Sequence, residues 1–239
     1  MTNPIILIPA RMASTRLPNK PMADIAGVPM IVQCYRRAQE SKLARVVVAC
    51  DSAEIAEAIA KEGGEAVLTD PDLPSGSDRI YAALTQVDAA GEHDIIVNLQ
   101  GDMPTLDPSV IASVLEPLIS DAHCDIATLA AQVHTDEERV NPAVVKVVIA
   151  QGGQALYFSR NLIPAGEGTH YHHIGIYAYR CAALERFVAM APSPLEKREK
   201  LEQLRALEAG MKMGVSVVNT VPLGVDTPQQ LEQARALLA

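Results

Sequence analysis

Ile95-Ile96-Val97-Asn98-Leu99, running straight into Gln100-Gly101-Asp102, is the stretch on which the reading of the fold turns. A continuous apolar run of this length reads as a strand buried on both faces, as in a parallel sheet. Outward from it, Ile5-Ile6-Leu7-Ile8, closed by Pro9, has the same character, and Val46-Val47-Val48 and Ala66-Val67-Leu68 are shorter strands. Helical patterns separate them. Pro29 opens a helix on which Met30, Ile31, Cys34, Tyr35 and Ala38 share one face. Ser52 caps a second from Ala53 to Lys61, ended by Gly63-Gly64, and a third runs near Arg79 to Val87. Asp107-Pro108 starts a further helix to Leu118. This strand-helix alternation predicts a doubly wound parallel sheet.

The second half breaks the rhythm. Val144 to Ile149, Leu156 to Ser159 and Ile174 to Tyr179 read as strands with few helices between them, which predicts a mixed or antiparallel extension over roughly 144–220. Helices are expected around Leu201 to Ala209 and from Pro228 to Leu238, the latter capped by Thr227. With no internal repeat and no low-complexity linker, 1–239 is expected to be a single α/β domain with a mostly parallel central sheet.

Composition narrows the function classes. Hydrophobic residues make up 49% of the chain, in short runs suited to a packed core. No run approaches the roughly 20 apolar residues of a membrane helix, and Met1-Thr2-Asn3-Pro4 has neither the basic nor the apolar region of a secretion signal. The expected address is the cytoplasm, without membrane insertion. Cys34, Cys50, Cys124 and Cys181 form no Cys-x-x-Cys pair and are expected to be reduced core thiols. A net charge of -9, with 3% aromatic residues and no Trp, argues against a nucleic-acid surface, so an anionic ligand needs a local basic pocket.

Ligands of open α/β sheets bind beyond the carboxyl ends of the strands. After the first strand, the loop Pro9 to Pro21 sets Arg11, Arg16 and Lys20 around the hydroxyls of Ser14 and Thr15, with prolines restricting the backbone. This suits a polyphosphate cradle, although the same residues also fit a solvated basic loop. No P-loop and no Gly-x-Gly-x-x-Gly occurs. After the central strand, Asp102 suits Mg²⁺, and equally a turn aspartate; a partner carboxylate would decide. Asp226, ahead of the last capped helix, is such a partner, though taken alone it reads as a helix-start residue. His170, His172 and His173 lack a recognised metal-ligand spacing.

Nine strings occur in one order along the chain: Ile8-Pro9-Ala10-Arg11, Ser14-Thr15-Arg16-Leu17-Pro18, Lys20-Pro21, Ser75-Gly76-Ser77-Asp78-Arg79, Asn98 to Asp102, Ala155 to Arg160, His173 to Arg180, Leu201 to Arg205 and Gly224 to Pro228. Together they closely resemble the 3-deoxy-manno-octulosonate (Kdo) cytidylyltransferases. The resemblance implies a Rossmann-like nucleotide-diphospho-sugar transferase fold and a homodimer. It also implies a reaction of CTP with Kdo giving CMP-Kdo and pyrophosphate for lipopolysaccharide. It assigns Arg11 and Lys20 to the triphosphate, Ser14 and Arg16 to support of that loop, and Asp102 with Asp226 to the catalytic Mg²⁺. Ala10, Ser75, Arg79, Gln100 and Gly101 fall near the nucleotide, while Arg160, His173, Tyr177, Glu202 and Gln203 fall to the sugar. The sugar-binding and dimer elements belong to the extension.

Two departures stand out. Met103 replaces the Glu of the family pattern Gln-Gly-Asp-Glu-Pro, and the loop 164–171 is short and carries Glu167. The rival readings are a cytidylyltransferase for another acidic sugar, such as an amino-Kdo analogue or a sialic acid, and a nucleotide-binding regulatory protein without turnover.

Overall fold

The computed structural model describes residues 2–14 and 16–239, and the chain divides into two compact units, Met1–Ile111 with Pro222–Ala239, and Ala112–Val221. Thr15, one of the two hydroxyls of the basic loop, lies outside the described residues, as does Met1.

The first unit is the parallel part. Its elements are β1 (Pro4–Ala10), a short hairpin of β2 (Asp24–Ile25) and β3 (Val28–Pro29), α1 (Met30–Glu40), β4 (Arg45–Cys50), α2 (Ala53–Lys61), β5 (Glu65–Leu68), α3 (Gly76–Val87) and β6 (Ile95–Asn98). The parallel strands lie in the order β5-β4-β1-β6, with Ile6 between Val46 and Val97. Chain order therefore reverses at β1, and the gap beyond the carboxyl ends of β1 and β6 is the topological switch point where such sheets bind ligands. Ile5 to Ile8 and Ile95 to Val97 are fully buried, as their unbroken apolar runs require.

Pro9 does not close β1, which continues to Ala10. The β1–β6 register spans only Pro4 to Leu7, whereas β1–β4 runs on to Ala10, so Pro9 sits where a missing N–H breaks no ladder on the β6 side. Helix α3 starts earlier than expected, at Gly76, because Ser75 Oγ accepts from the Asp78 N–H and caps it. The helix expected from Asp107 to Leu118 is instead two 3-10 turns, Pro108–Val110 and Ala112–Leu115, before α4 (Glu116–Ser120). Pro117 lacks the N–H that a continuous α-helix would use there.

The second unit holds α4, β7 (Ile126–Gln132), α5 (Asp136–Val140), β8 (Lys146–Ile149), β9 (Ala155–Ser159), β10 (Tyr171–Arg180), α6 (Cys181–Val188), α7 (Pro194–Glu199), α8 (Leu204–Glu208) and β11 (Met213–Val218). Its strands are mixed: β7 is parallel to β11 and antiparallel to β10, while β8 runs antiparallel to β9 and β10. The last helix, α9 (Pro228–Leu238), returns to the first unit behind a Thr227 capping box. Among the described residues no helix is long and apolar enough to cross a membrane.

Candidate active site

The basic loop leaves the carboxyl end of β1 and is shaped by three local devices. The Met12 N–H donates to both Asp51 carboxylate oxygens, at 3.0 and 3.2 Å, which ties the loop to the end of β4. Ser14 Oγ accepts from the Leu17 N–H at 3.4 Å. Asn19 then takes the left-handed conformation, φ 53°, which asparagine tolerates better than most residues, and starts the turn Lys20–Met22.

That turn aims Lys20 at two carboxylates distant in sequence. Its ammonium donates to Asp102 Oδ2 at 2.7 Å and to Asp226 Oδ1 at 2.6 Å, while Arg16 Nη2 donates to Asp226 Oδ2 at 3.0 Å. Asp102 arrives on the turn after β6. A side chain at Gly101 would put its Cβ 2.8 Å from the Pro9 carbonyl oxygen, so glycine lets the two strand ends approach. Asp226 arrives from the other direction. The Asp226 and Thr227 N–H groups are met by Gln230 Oε1 at 2.9 and 3.0 Å, so helix capping is done by other groups and the Asp226 carboxylate is left for the cations. Upstream, the Leu223 N–H donates to Thr105 Oγ1 at 3.0 Å.

Burial works against the charge of Lys20, but the fields and hydrogen bonds of Asp102 and Asp226 outweigh it and its pKa stands above the ordinary value. Burial likewise raises the Asp226 carboxyl, and Lys20 and Arg16 more than reverse the effect, leaving it below the ordinary carboxylate range. The cavity here holds about 200 Å³. Of the expected nucleotide residues it gathers Ala10, Arg11, Ser14, Arg16, Lys20, Gln100, Gly101 and Asp102, with Asp226. Ser75 and Arg79 do not line it. Ser75 is occupied as a helix cap, and Arg79, 2% exposed, donates to Thr69 Oγ1 at 2.6 Å and to the Asp70 carbonyl at 3.2 Å.

Both carboxylates lie within reach of one nitrogen, so both can face one cation. Among the described residues no group of three or more His, Cys, Asp or Glu forms a metal cage. Two carboxylates open to water and phosphate are the donor set that Mg²⁺ commonly uses, so the residues present fit that ion. The sequence reading passed over Asp51 and Thr105. Asp51 could have been found by the rule that residues following strand ends line the site; Thr105 leaves no such signal.

The residues that the resemblance assigns to the sugar lie in the second unit. His173 is buried on β10, its Nε2 3.0 Å from Thr128 Oγ1, its ring edge-on to Phe158 and tilted against Tyr177. The Thr128 hydroxyl lies 2.8 Å from the Ile176 carbonyl, at an irregularity between Ile174 and Tyr177 in the β10–β7 register. The same hydroxyl lies 3.2 Å from the Ile174 carbonyl, so Thr128 Oγ1 links the His173 ring to two main-chain oxygens of β10. Burial and then the nearby His172 depress the His173 pKa to about 3. Burial first, then Tyr179 and Glu202, hold the Tyr177 phenol protonated. Gln203 is buried, and Glu202 Oε1 lies 3.7 Å from Arg205. Arg160, at the end of β9, donates to the carbonyls of Glu199 and Pro142, each at 3.2 Å. The His170 ring nitrogens face the Gly168 and Pro164 carbonyls, at 3.1 and 3.0 Å.

Comparison with known proteins identifies the family. Residues 5–213 match the model of the cytidylyltransferase family. The chain is 64% identical to the 3-deoxy-manno-octulosonate cytidylyltransferase of Bradyrhizobium sp. (strain ORS 278), covering 98% of this chain and 97% of that one. It is 61% identical to the enzyme of the same name from Parvibaculum lavamentivorans, over 99% of this chain and 93% of that one. Among solved structures it superposes on CMP:2-keto-3-deoxy-manno-octonic acid synthetase complexed with CTP with a TM-score of 0.92, at 39% identity over 99% of this chain and 98% of that one. With 4-diphosphocytidyl-2C-methyl-D-erythritol synthase from Anaerococcus prevotii, at 12% identity, TM-score 0.66 and coverage of 99% and 98%, it shares the fold alone. The chain belongs to the 3-deoxy-manno-octulosonate cytidylyltransferases.

Proposed function

We propose that this protein activates Kdo with CTP, forming CMP-Kdo and releasing pyrophosphate, and so serves lipopolysaccharide synthesis in the cytoplasm as a homodimer. Family membership over essentially the whole chain supports the reaction. The observation that carries the site is the convergence of Lys20, Asp102 and Asp226 at the switch point of the parallel sheet.

The sugar's anomeric hydroxyl oxygen attacks the α-phosphorus of CTP in line with the departing pyrophosphate oxygen. One bond to phosphorus forms as the other breaks, the hydroxyl proton is released to solvent, and no covalent enzyme intermediate is needed. Arg11, Arg16 and Lys20 neutralise the triphosphate and hold it in one orientation. Asp102 and Asp226 would hold Mg²⁺, which when bound supplies positive charge to the phosphate oxygens as pyrophosphate departs. Gln100, whose amide N–H donates to Asn98 Oδ1 at 3.1 Å, is fixed at the cavity wall beside the nucleotide. On the sugar side Arg160 meets the carboxylate, while neutral His173 and protonated Tyr177 offer hydrogen bonds to hydroxyls.

The test is pyrophosphate release with Mg²⁺ from Asp102→Asn and Asp226→Asn. Each is expected to lose on the order of a hundredfold or more in kcat, the scale on which removing electrostatic stabilisation acts. Near-normal rates in both would remove the metal assignment. Product identification with Kdo, an amino-Kdo analogue and sialic acid tests the sugar. Binding of CTP without pyrophosphate release from any of them would favour a regulatory nucleotide-binding protein.

A further inference from the structure

The position that a divalent ion would take between Asp102 and Asp226 is held by the protein's own cation. Lys20 Nζ contacts one oxygen of each carboxylate, at 2.7 and 2.6 Å, and Arg16 covers the second oxygen of Asp226 at 3.0 Å. Two positive and two negative side chains make the cluster neutral before any ligand arrives. A dication entering beside a seated ammonium is repelled by it and finds carboxylate oxygens already accepting hydrogen bonds. A triphosphate changes this balance. It brings several negative charges to the same cavity and offers the ammonium new acceptors, and lysine, a point charge on a flexible stem, can follow them.

We propose that Lys20 is an internal counter-cation that closes the carboxylate pair to divalent ions until a nucleotide triphosphate draws its ammonium away. Metal then enters with the nucleotide rather than before it. The coupling is reciprocal: whatever nucleotide does to metal affinity, metal does to nucleotide affinity. This proposal rests on the reading of Asp102 and Asp226 as the metal ligands, and the experiment separates the two.

Mn²⁺ is titrated into the nucleotide-free protein and the free ion is followed by its electron paramagnetic resonance signal. Lys20→Met is expected to bind Mn²⁺ about tenfold or more tightly than the unaltered protein, because an ammonium in contact with the ligands is gone. Lys20→Arg, which keeps the charge, is expected to stay close to the unaltered protein. Adding Asp102→Asn to Lys20→Met is expected to abolish the gain. If Lys20→Met binds no tighter while the asparagine variants still lose pyrophosphate release, the gate is wrong and the metal reading stands. A gain that survives Asp102→Asn overturns both. A measurement without variants uses nitrogen-15-labelled lysine. The Lys20 ammonium resonance is expected to move with a non-hydrolysable CTP analogue alone and to stay in place with Mg²⁺ alone; displacement by Mg²⁺ alone overturns the proposal.

Discussion

The main-chain N–H of Val225 donates to the carbonyl oxygen of Asp102 at 2.9 Å, so the two carboxylate-bearing segments are joined by backbone as well as by Lys20. The Val225 side chain is fully buried, in a cluster with Leu17, Ile25, Met30, Cys34, Leu231 and Ala234. Val225→Ala is expected to cost about 1–3 kcal/mol of stability in urea denaturation, since it removes two buried methyl groups from a packed cluster. Because Asp226 is the next residue, kcat is expected to fall as well, measured as pyrophosphate release.

Gly101→Ala acts on the same approach from the other side. Its Cβ would stand 2.8 Å from the Pro9 carbonyl and 3.1 Å from Ile31 Cδ1, and backbone cannot move aside as a flexible side chain can. The strand ends must part, and Asp102 shifts from Lys20 by a fraction of an ångström. A loss of about ten- to hundredfold in kcat/KM is expected, the scale on which small misplacements act. Far-ultraviolet circular dichroism should be unaltered.

His173 makes stability depend on pH. Its pKa is near 6.5 in the unfolded chain and about 3 in the folded one, where burial and then His172 oppose its protonation. Between those values the unfolded chain binds more protons, so its stabilising contribution is full above pH 6.5 and is lost as pH falls toward 3. From pH 7 to pH 5 the loss is about 2 kcal/mol. Urea denaturation at both values checks this, and His173→Gln should flatten the difference.

Arg205 anchors the second unit. It donates to both Glu196 carboxylate oxygens at 2.8 and 2.6 Å, and its guanidinium lies 4.8 Å from the Phe187 ring centre. Their side chains are only 8% and 13% exposed, so Arg205→Met leaves a nearly buried carboxylate without its cation and with the Ser193 N–H, at 3.0 Å, still donating to it. The expected cost is about 3–5 kcal/mol by chemical denaturation. The double variant Arg205→Met/Glu196→Leu should recover part of it.

The first unit was legible because its strands are buried on both faces and therefore apolar without interruption, as at Ile5 to Ile8 and Ile95 to Val97. Helix α2 matches its expected bounds because a serine cap and a paired-glycine stop are local signals. Strand β7 was not expected. Ile126-Ala127-Thr128-Leu129-Ala130-Ala131 is rich in helix-forming alanine, and pairing with β10 and β11 overrides that preference. The helix expected over Leu201 to Ala209 forms only across Leu204–Glu208, with Leu201 carried instead in a turn. In the site, strand-end position singled out Asp102 and the basic loop. The pairing of Asp102 with Asp226 is a tertiary fact that no local pattern encodes, and the role of Asp51 as an anchor for the Met12 N–H is another.

The first unit is completed by Pro222–Ala239, which follow the whole of the second unit in the chain. During synthesis on the ribosome, the basic loop and Asp102 emerge early, yet Asp226 reaches them only after everything between has been translated. An interrupted polypeptide thus carries cationic side chains without the second acid that answers them, and the charge cluster is completed in one late step.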